Sequence, residues 1–454
     1  MRLSHHTIVV KDYPSKGEHL LYSTRTQALV KIEDALRLLL DRLPSAGPAD
    51  TVPYQQEIKQ LHDMGLIVTG DAEEQSRLRE HLNQIKFSHD ESCLPVTILT
   101  TYGCNFKCTY CFEESTRTND RLSAEHQQKI IRWLKDRVRT LGYRSLYLNY
   151  YGGEPLLNQP AIEQISTEMR RWCRESGVGF GMALQTNGYL LTPQVVRKFL
   201  ELNLVGVRVS LDGVGEDHDR YRPLRGGGGT FTRIMRNIVD CVDLVPIGIS
   251  IGFDKGDVEP IEKLVNHFEE LGILHKLGRI ITSPITPTVG PAGRPEAVRG
   301  SECMCHSQDA TLAAAMRRIN ALFEAKGINK VKSGMATNVC PLTRENGGVT
   351  IDQEGRLYKC NSLLGHPEFS VGHVDDAQYN ETGRRFRDLD VWRQCPIDCT
   401  YLPMCSGGCR LMAFVGESKS FRVAACKKPY LNEMAAEFIK RDYDRLTAKQ
   451  KAAV

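Results

Sequence analysis

Three cysteines, Cys104, Cys108 and Cys111, lie within one short segment, CNFKCTYC. Thiolates hold iron–sulfur clusters, and a [4Fe–4S] cube bound by only three of them keeps one iron open for a substrate. Four cysteines would instead close the cluster as an electron carrier. Zinc or plain packing is the alternative, but zinc is commonly held by C-x2-C pairs, and no fourth cysteine is near. The spacing therefore predicts an open [4Fe–4S] cluster on this triplet.

Three further motifs could bind a small polar ligand beside such a cluster. Gly152-Gly153-Glu154-Pro155 combines glycines that let the backbone approach a ligand with a carboxylate that accepts hydrogen bonds from an ammonium group. The segments QTNG (185–188) and SLDG (210–213) offer amide, hydroxyl and carboxylate groups that suit sugar hydroxyls and a carboxylate. Each motif has a plainer alternative: the first can form a tight turn, and the other two can cap the following helices.

The elements that must position these residues begin at Pro95, where strand and helix patterns start to alternate. Six strand-like runs are separated by amphipathic helical runs, and the strands are PVTILTT, SLYLNYYGG, GMALQTNG, VGVRVSLDG, PIGISIGF and GRIITSP. This alternation predicts a parallel sheet covered by helices, an α/β partial (β/α)6 barrel over residues 91–295. Chemistry in such folds lies at the carboxyl ends of the strands, where all four motifs fall. We therefore expect one shared site.

Residues 1–90 show a different pattern. Three strand-like runs, HTIVVK, HLLYST and ALVKI, precede two helical runs, EDALRLLLDRL and YQQEIKQLHDMGLIV. Three short strands with amphipathic helices predict a small winged-helix-like domain. The charged stretch EEQSRLREHLNQIKFSHDES then predicts a linking helix.

Residues 296–454 are predicted as a cysteine-rich domain in which the helix–strand alternation fails. We expect a hairpin, GVTIDQEGRLYKC, and a C-terminal helix, PYLNEMAAEFIKRDYDRL. Fifteen cysteines, an odd number and unevenly grouped, fit a disulfide framework badly and favour metal. Zinc is the alternative, but the seven cysteines from Cys340 to Cys426 have no histidine at ligand spacing, which favours all-thiolate clusters. The grouped cysteines of this region are Cys303, Cys305, Cys340, Cys360, Cys395, Cys399, Cys405, Cys409 and Cys426.

The bulk composition excludes some classes of protein. A net charge of +4 without a Lys/Arg run and interleaved aromatics argues against nucleic acid as the main partner. No segment approaches the roughly 20 apolar residues that span a bilayer, and the first residues lack a signal-peptide core. We therefore expect a cytoplasmic protein with no membrane partner.

CNFKCTYC resembles the C-x3-C-x2-C signature of the radical S-adenosylmethionine (SAM) superfamily, including the aromatic before the last cysteine. The resemblance implies that the open iron binds the amino and carboxylate groups of SAM. It also implies an electron donor such as flavodoxin or ferredoxin and reductive cleavage to a 5′-deoxyadenosyl radical. Arg222 is a candidate for a carboxylate contact, with a solvated surface arginine as the alternative. The residues that the resemblance assigns to SAM are Gly152, Gly153, Glu154, Pro155, Gln185, Asn187, Ser210, Asp212 and Arg222.

The C-terminal cysteines resemble the SPASM extension, which carries auxiliary iron–sulfur clusters. The run Cys340-x14-Gly355-x4-Cys360 is followed by Cys395-x3-Cys399-x5-Cys405-x3-Cys409-x16-Cys426, with three residues instead of two after Cys395. The family's interleaving implies an outer [4Fe–4S] cluster on Cys395, Cys399, Cys405 and Cys426. It implies an inner one on Cys340, Cys360 and Cys409, which lacks a fourth ligand. Cys303 or Cys305 is our hypothesis for that ligand, and an open iron is the alternative.

Enzymes with this core and extension mostly act on peptides or proteins. The N-terminal domain resembles the winged-helix domains that capture leader peptides as an added strand. Our leading hypothesis is therefore a maturase that installs a thioether or carbon–carbon crosslink in a ribosomally made precursor peptide with a leader sequence. The alternatives are an anaerobic sulfatase-maturing enzyme, which forms formylglycine, and a non-catalytic iron–sulfur or zinc scaffold.

Overall fold

A computed structural model describes most of the chain. The described residues are 1–114, 117–290, 295–296, 310–328, 335, 337, 339–416 and 418–452. Cys303 and Cys305 lie outside them. Among the described residues, no helix combines the length and the apolar character that crossing a membrane requires.

The N-terminal segment forms a three-stranded antiparallel sheet followed by helices, as predicted. Its elements are β1 (Arg2–Leu3), β2 (Thr7–Val10), β3 (Glu18–Ser23), β4 (Leu29–Glu33), α1 (Asp34–Arg42), α2 (Pro48–Thr51), α3 (Gln55–Asp63), β5 (Ile67–Val68) and α4 (Asp71–Phe87). The expected helix YQQEIKQLHDMGLIV was wrong at its end. Gly65 adopts φ +74° and stops α3, and the buried pair Ile67–Val68 forms β5 against β1.

The central segment contains six parallel strands in sequential order, which confirms the predicted partial barrel. Its elements are β6 (Leu94–Leu99), α5 (Ala124–Leu141), β7 (Ser145–Tyr151), α6 (Gln159–Glu175), β8 (Gly179–Thr186), α7 (Pro193–Leu200), β9 (Leu204–Ser210), α8 (Glu216–Tyr221), α9 (Phe231–Cys241), β10 (Ile247–Phe253), α10 (Glu259–Glu270) and β11 (Ile280–Pro284).

Alternation along these strands separates a dry outer face from a polar inner one. In β10, Ile247, Ile249 and Ile251 are fully buried, and the intervening Gly248 and Ser250 face inward. The outer apolar side chains and the helices share one continuous core. The inner face is thereby left free for binding.

The C-terminal segment extends the same sheet to nine strands. Its elements are β12 (Thr288–Val289), β13 (Pro295–Glu296), α11 (Ala310–Ala325), β14 (Val349–Ile351), β15 (Arg356–Tyr358), β16 (Gly372–His373), α12 (Glu381–Arg387), α13 (Leu402–Cys405), α14 (Arg410–Val415) and α15 (Lys428–Ala452). β14 pairs in parallel with β6, and the predicted hairpin joins β14 to β15. Helix α11 was not predicted, although its buried Leu312, Ala315, Ile319 and Phe323 repeat at helical spacing.

The N-terminal sheet is fixed to the cysteine-rich segment. One face, with Leu21 and Ile32, packs on α1 and α3, and the other, with Leu20 and Tyr22, packs against Met434 and other residues of α15. A hydrogen bond of 2.5 Å from the Thr24 hydroxyl to the carbonyl of Thr400 adds a polar link. The N-terminal sheet therefore has both faces covered.

Candidate active site

A cavity of about 440 Å³ opens at the carboxyl ends of the parallel strands. Its volume lies in the range of about 300–1,000 Å³ that is typical of small-molecule sites. The structure brings together here nine of the residues selected from the sequence: Cys104, Cys108, Cys111, Gly152, Gly153, Gln185, Asn187, Ser210 and Arg222. Glu154, Pro155 and Asp212 are not among its lining residues.

The two glycines after β7 allow the cysteine loop to pass close by. A side chain on Gly152 would meet the carbonyl of Thr101, and one on Gly153 would meet the carbonyl of Gly103, both inside 3.0 Å. The amide of Gly153 donates to the carbonyl of Thr101 at 3.0 Å, and that of Glu154 donates to Gly103 at 2.9 Å. The glycine pair therefore sets the position of the backbone that leads into Cys104.

Glu154 is fully buried and does not line the cavity. Its carboxylate accepts hydrogen bonds from the Thr186 hydroxyl at 2.7 Å, the Asn187 amide at 2.8 Å and the Leu156 amide at 3.0 Å. Burial raises the pKa of Glu154 to about 7, and these three donors oppose the rise. The carboxylate thus joins the ends of β7 and β8, and its contact with an ammonium group stays a prediction.

Asp212 and Arg222 form an ion pair of 2.6 Å behind Cys108. Tyr110 donates to the same carboxylate oxygen and accepts from Arg222, and the amide of Gly252 donates to the other oxygen at 2.9 Å. Arg222 therefore is not a solvated surface side chain. Its Nη1 lies 3.9 Å from the sulfur of Cys108, so it presents positive charge to the triplet.

The sulfurs of the triplet are surrounded by donors. Arg117 Nη2 donates to Cys111 at 3.1 Å, and the amide of Phe106 donates to Cys104 at 3.4 Å. Burial is the main cause that raises the pKa of Cys104 to about 12 and that of Cys111 to about 11. Thiols held this way require nearby positive charge to ionise, and cluster iron supplies it. The donor set thus fits an iron–sulfur cluster.

Gln185 and Ser210 line the cavity, and their side chains make no hydrogen bond to the described part of the chain. They are free to bind a polar ligand beside the triplet. Asn187 is partly engaged, since it donates to Asn105 at 2.8 Å and lies 3.8 Å from the sulfur of Cys104.

Sequence reasoning missed several residues of the site. Arg117 follows the triplet in a segment with no motif, and Tyr110 was noted only as an aromatic next to Cys111. Ser250 and Ser283 also line the cavity, and the polar positions in GISIG and ITSP are the signal that could have identified them.

The C-terminal cysteines form two groups. The thiols of Cys340 and Cys409 share a hydrogen bond, which raises the pKa of Cys340 and lowers that of Cys409 to about 6, and Cys409 also acts on Cys360. Burial, followed by the charges on Cys405, Cys399 and Cys426, raises the pKa of Cys395 to about 11. This grouping is compatible with the division that the resemblance implies, and that division stays a prediction. Within the described residues, no three His, Cys, Asp or Glu side chains converge as ligands of one metal ion do.

Arg410, which directly follows Cys409, is almost completely buried. Its guanidinium donates to the carbonyls of Gly407, Gly408, Phe421 and Val423. Cysteines of both groups, including Cys340 and Cys395, act on its charge. Arg410 therefore joins the segment before Cys409 to the segment before Cys426.

The model of the Radical SAM superfamily matches residues 98–271. The chain is 28% identical to Fe-coproporphyrin III synthase of Methanosarcina barkeri over 43% of this chain, and it spans only 45% of that relative's length. It is 24% identical to mycofactocin maturase MftC of Mycolicibacterium smegmatis, over 69% of this chain and 77% of that one. The cysteine-type anaerobic sulfatase-maturating enzyme of Clostridium novyi is 21% identical, over 68% and 85%.

Two solved structures share the fold. SuiB of Streptococcus suis bound to precursor peptide SuiA matches 94% of this chain and 99% of that chain, with a TM-score of 0.55 and 15% identity. Native anSMEcpe with bound AdoMet and Cp18Cys peptide matches 78% and 99%, with a TM-score of 0.58 and 17% identity. Residues 98–271 therefore match a radical SAM domain, and this is the part of the chain that the family model covers.

Proposed function

We propose that the chain is a peptide maturase that installs a thioether or carbon–carbon crosslink in a ribosomally made precursor peptide. The observation that carries the peptide part of this proposal is the edge of β4. In the described part of the chain, β4 pairs only with β3. An edge strand is a template on which an extended peptide can add as a further strand.

The ladder between β3 and β4 shows which backbone groups are available. The amide of Ser23 donates to Ala28, and that of Asp34 donates to Gly17, so these pairs face each other across the ladder. Pairing alternates along an antiparallel ladder. The amides and carbonyls of Leu29, Lys31 and Glu33 therefore point outward at the free edge.

The cysteine cavity provides the reactive part of the proposal. Cys104, Cys108 and Cys111 would hold a [4Fe–4S] cluster, which together with SAM would supply a radical that removes hydrogen from the substrate. Gln185 and Ser210 would orient SAM through their free polar groups, and Arg222 would offset negative charge at Cys108. A crosslink is a two-electron oxidation: the hydrogen atom that the radical removes carries one electron, and the two auxiliary [4Fe–4S] clusters on the C-terminal cysteine groups would accept the other. An external donor such as flavodoxin or ferredoxin would deliver the starting electron.

A sulfatase-maturing enzyme is the second candidate, favoured by the likeness to the Clostridium novyi relative over 85% of its length. The extent of the structural matches supports the first candidate instead. The match to SuiB covers 94% of this chain, whereas the match to anSMEcpe covers 78%.

The free edge gives a direct test. Lys31→Pro removes an outward amide and leaves the β3–β4 ladder intact, and Lys31→Ala is the matched control that removes only the side chain. We expect the Lys31→Pro variant alone to lose binding of a precursor peptide encoded by a neighbouring short reading frame, measured by fluorescence anisotropy. Both variants should still cleave SAM. Equal binding by the two variants would contradict the proposal, and turnover of a C/S-x-P-x-R peptide would favour sulfatase maturation.

A further inference from the structure

A second cavity, of about 580 Å³, lies on the inner face of the same sheet, nearer the amino ends of the strands. We call it the lower lumen. Asn149 and Arg208 line it, and Tyr151 and Ser210, two residues further along the same strands, line the cysteine cavity. Residues at i and i+2 of a strand share one face and lie about 6.6 Å apart. The two cavities therefore follow one another along a single polar channel.

Cations dominate the lower lumen. Arg208, Arg279, Arg344 and Lys359 line it, and no Asp or Glu of the described residues does. Arg208 and Arg279 are exposed to solvent in the lower lumen and form no ion pair within the described ranges. Arg344 keeps a buried Nε without a hydrogen-bond partner there. The nearby Glu345 already pairs with Arg387, at 3.5 Å.

The sheet register places Arg208 and Arg279 on either side of a glycine. Arg208 pairs with Gly248, and the amide of Ile249 donates to the carbonyl of Arg279 at 3.0 Å, which sets Gly248 beside Arg279. Neighbouring strands are about 4.8 Å apart, so the two arginine Cα atoms are separated by about 10 Å. Gly248 has no side chain to fill the space between them. The space at Gly248 is therefore open, and a guanidinium group lies on each side of it.

This arrangement differs from ordinary barrel packing. Inner positions of closed barrels are mostly filled by Val, Ile and Leu. Here Arg208 is bordered by Gly248 on one strand and, on the other, by Gln185, which lines the cysteine cavity. Several cations in a confined site make its electrostatic potential positive and attract an anion. Planar guanidinium groups favour carboxylates among anions.

We propose that the lower lumen binds the carboxylate of an acidic residue in the substrate peptide. The peptide part rests on the proposed function, whereas the anion site rests on the geometry alone. An extended peptide advances about 3.3 Å per residue. A carboxylate held at Arg208 and Arg279 therefore places the residue about two positions away in the cysteine cavity, where hydrogen would be abstracted.

The test compares two short peptides, Ac-GSEAEG-amide and its neutral counterpart Ac-GSQAQG-amide, by isothermal titration calorimetry on the full-length reconstituted protein. We expect the acidic peptide to bind more tightly, with an affinity that falls as salt rises. The double variant Arg208→Gln/Arg279→Gln should weaken its binding at least about 10-fold. Arg197→Gln, an exposed arginine on α7 outside the barrel, should leave it unchanged. Circular dichroism checks the fold, and Arg208→Lys/Arg279→Lys should retain part of the affinity.

Equal binding of the acidic and neutral peptides by the wild type would overturn the proposal. So would wild-type affinity in the double variant. Inorganic phosphate is the third probe: binding of phosphate that depends on both arginines, with no binding of the acidic peptide, would leave a small-anion site only and overturn the peptide assignment. If the acidic peptide binds as expected but no precursor is modified, the proposed function fails and the anion site stands.

Discussion

Arg222 Nε donates to Asp212 Oδ2 at 2.6 Å, and Nη1 of the same guanidinium lies 3.9 Å from the sulfur of Cys108. The backbone brings them together, because the amides of Lys107 and Thr109 donate to the carbonyls of Pro223 and Tyr221. The segment after α8 thus runs along the cysteine loop. A strand-end carboxylate, an arginine and a cysteine of the triplet form one unit.

This unit predicts that Arg222→Lys impairs the enzyme although it keeps the charge. Lysine cannot donate to Asp212 and Tyr110 and also lie beside Cys108, because it has one nitrogen in place of a planar fork. We expect SAM cleavage, measured as 5′-deoxyadenosine formed with dithionite, to fall about 10-fold. Arg220→Lys, at an exposed position in α8, is the control. Equal rates for both variants would show that the fork does not matter.

The close approach of the cysteine loop predicts that Gly153→Ala is harmful. The new methyl group would press on backbone carbonyls that cannot yield, and such overpacking typically costs about 1–3 kcal/mol. We expect a lower melting temperature and less iron bound at the triplet after reconstitution. Gly226→Ala is the matched control, since a Cβ there meets nothing within 4 Å. Normal iron content in the Gly153→Ala variant would refute this account of the loop.

The parts of the fold that were predictable have strong local patterns. The six strands β6 to β11 alternate between apolar and polar or small residues, and each is followed by an amphipathic run, so the sequence indicated the order and the parallel sheet. The end of α3 was mistaken because Leu66, Ile67 and Val68 continue the apolar pattern past Gly65. The helix α11 was overlooked among cysteines and loops, although its apolar spacing is helical.

The site was predictable only as a set of motifs. Sequence places GGEP at a strand end, but it does not show which way Glu154 turns, and the three donors that hold its carboxylate come from two strand ends. The row Arg208, Gly248 and Arg279 depends on the register between three strands. Register is a property of tertiary packing, and no local spacing encodes it.

His218 predicts a specific acid sensitivity. The imidazole is fully buried, and its Nδ1 accepts a hydrogen bond from the amide of Asp212 at 3.2 Å. Burial is the main cause that lowers the pKa of His218 from 6.5 to about 4. As the pH falls below 6.5 the unfolded chain binds this proton first, so stability is lost between pH 6.5 and 4, on the order of 2 kcal/mol at pH 5.

Urea unfolding at pH 7 and pH 5 measures this loss. His218→Gln should lose less stability between the two pH values than the wild type. Part of the loss should remain, because burial also lowers the pKa of His6 to about 4. His275→Gln, at an exposed position, should behave as the wild type. An unchanged pH dependence in His218→Gln would mean that this histidine is not the group that titrates.

The grouping of the C-terminal cysteines predicts that iron can be removed in three separate portions. Three [4Fe–4S] clusters correspond to about twelve iron atoms per chain. The double variants Cys340→Ala/Cys360→Ala and Cys395→Ala/Cys405→Ala should each lose about four of them and still cleave SAM, because neither touches the triplet.

Cys104→Ala/Cys108→Ala should lose a similar amount of iron and all SAM cleavage. Cys241→Ala, at a buried core cysteine whose thiol donates to the carbonyl of Leu191, should retain both. Metal analysis and electron paramagnetic resonance provide the measurement. Zinc in place of iron in the C-terminal groups would contradict the auxiliary clusters and leave the triplet as the single iron–sulfur centre.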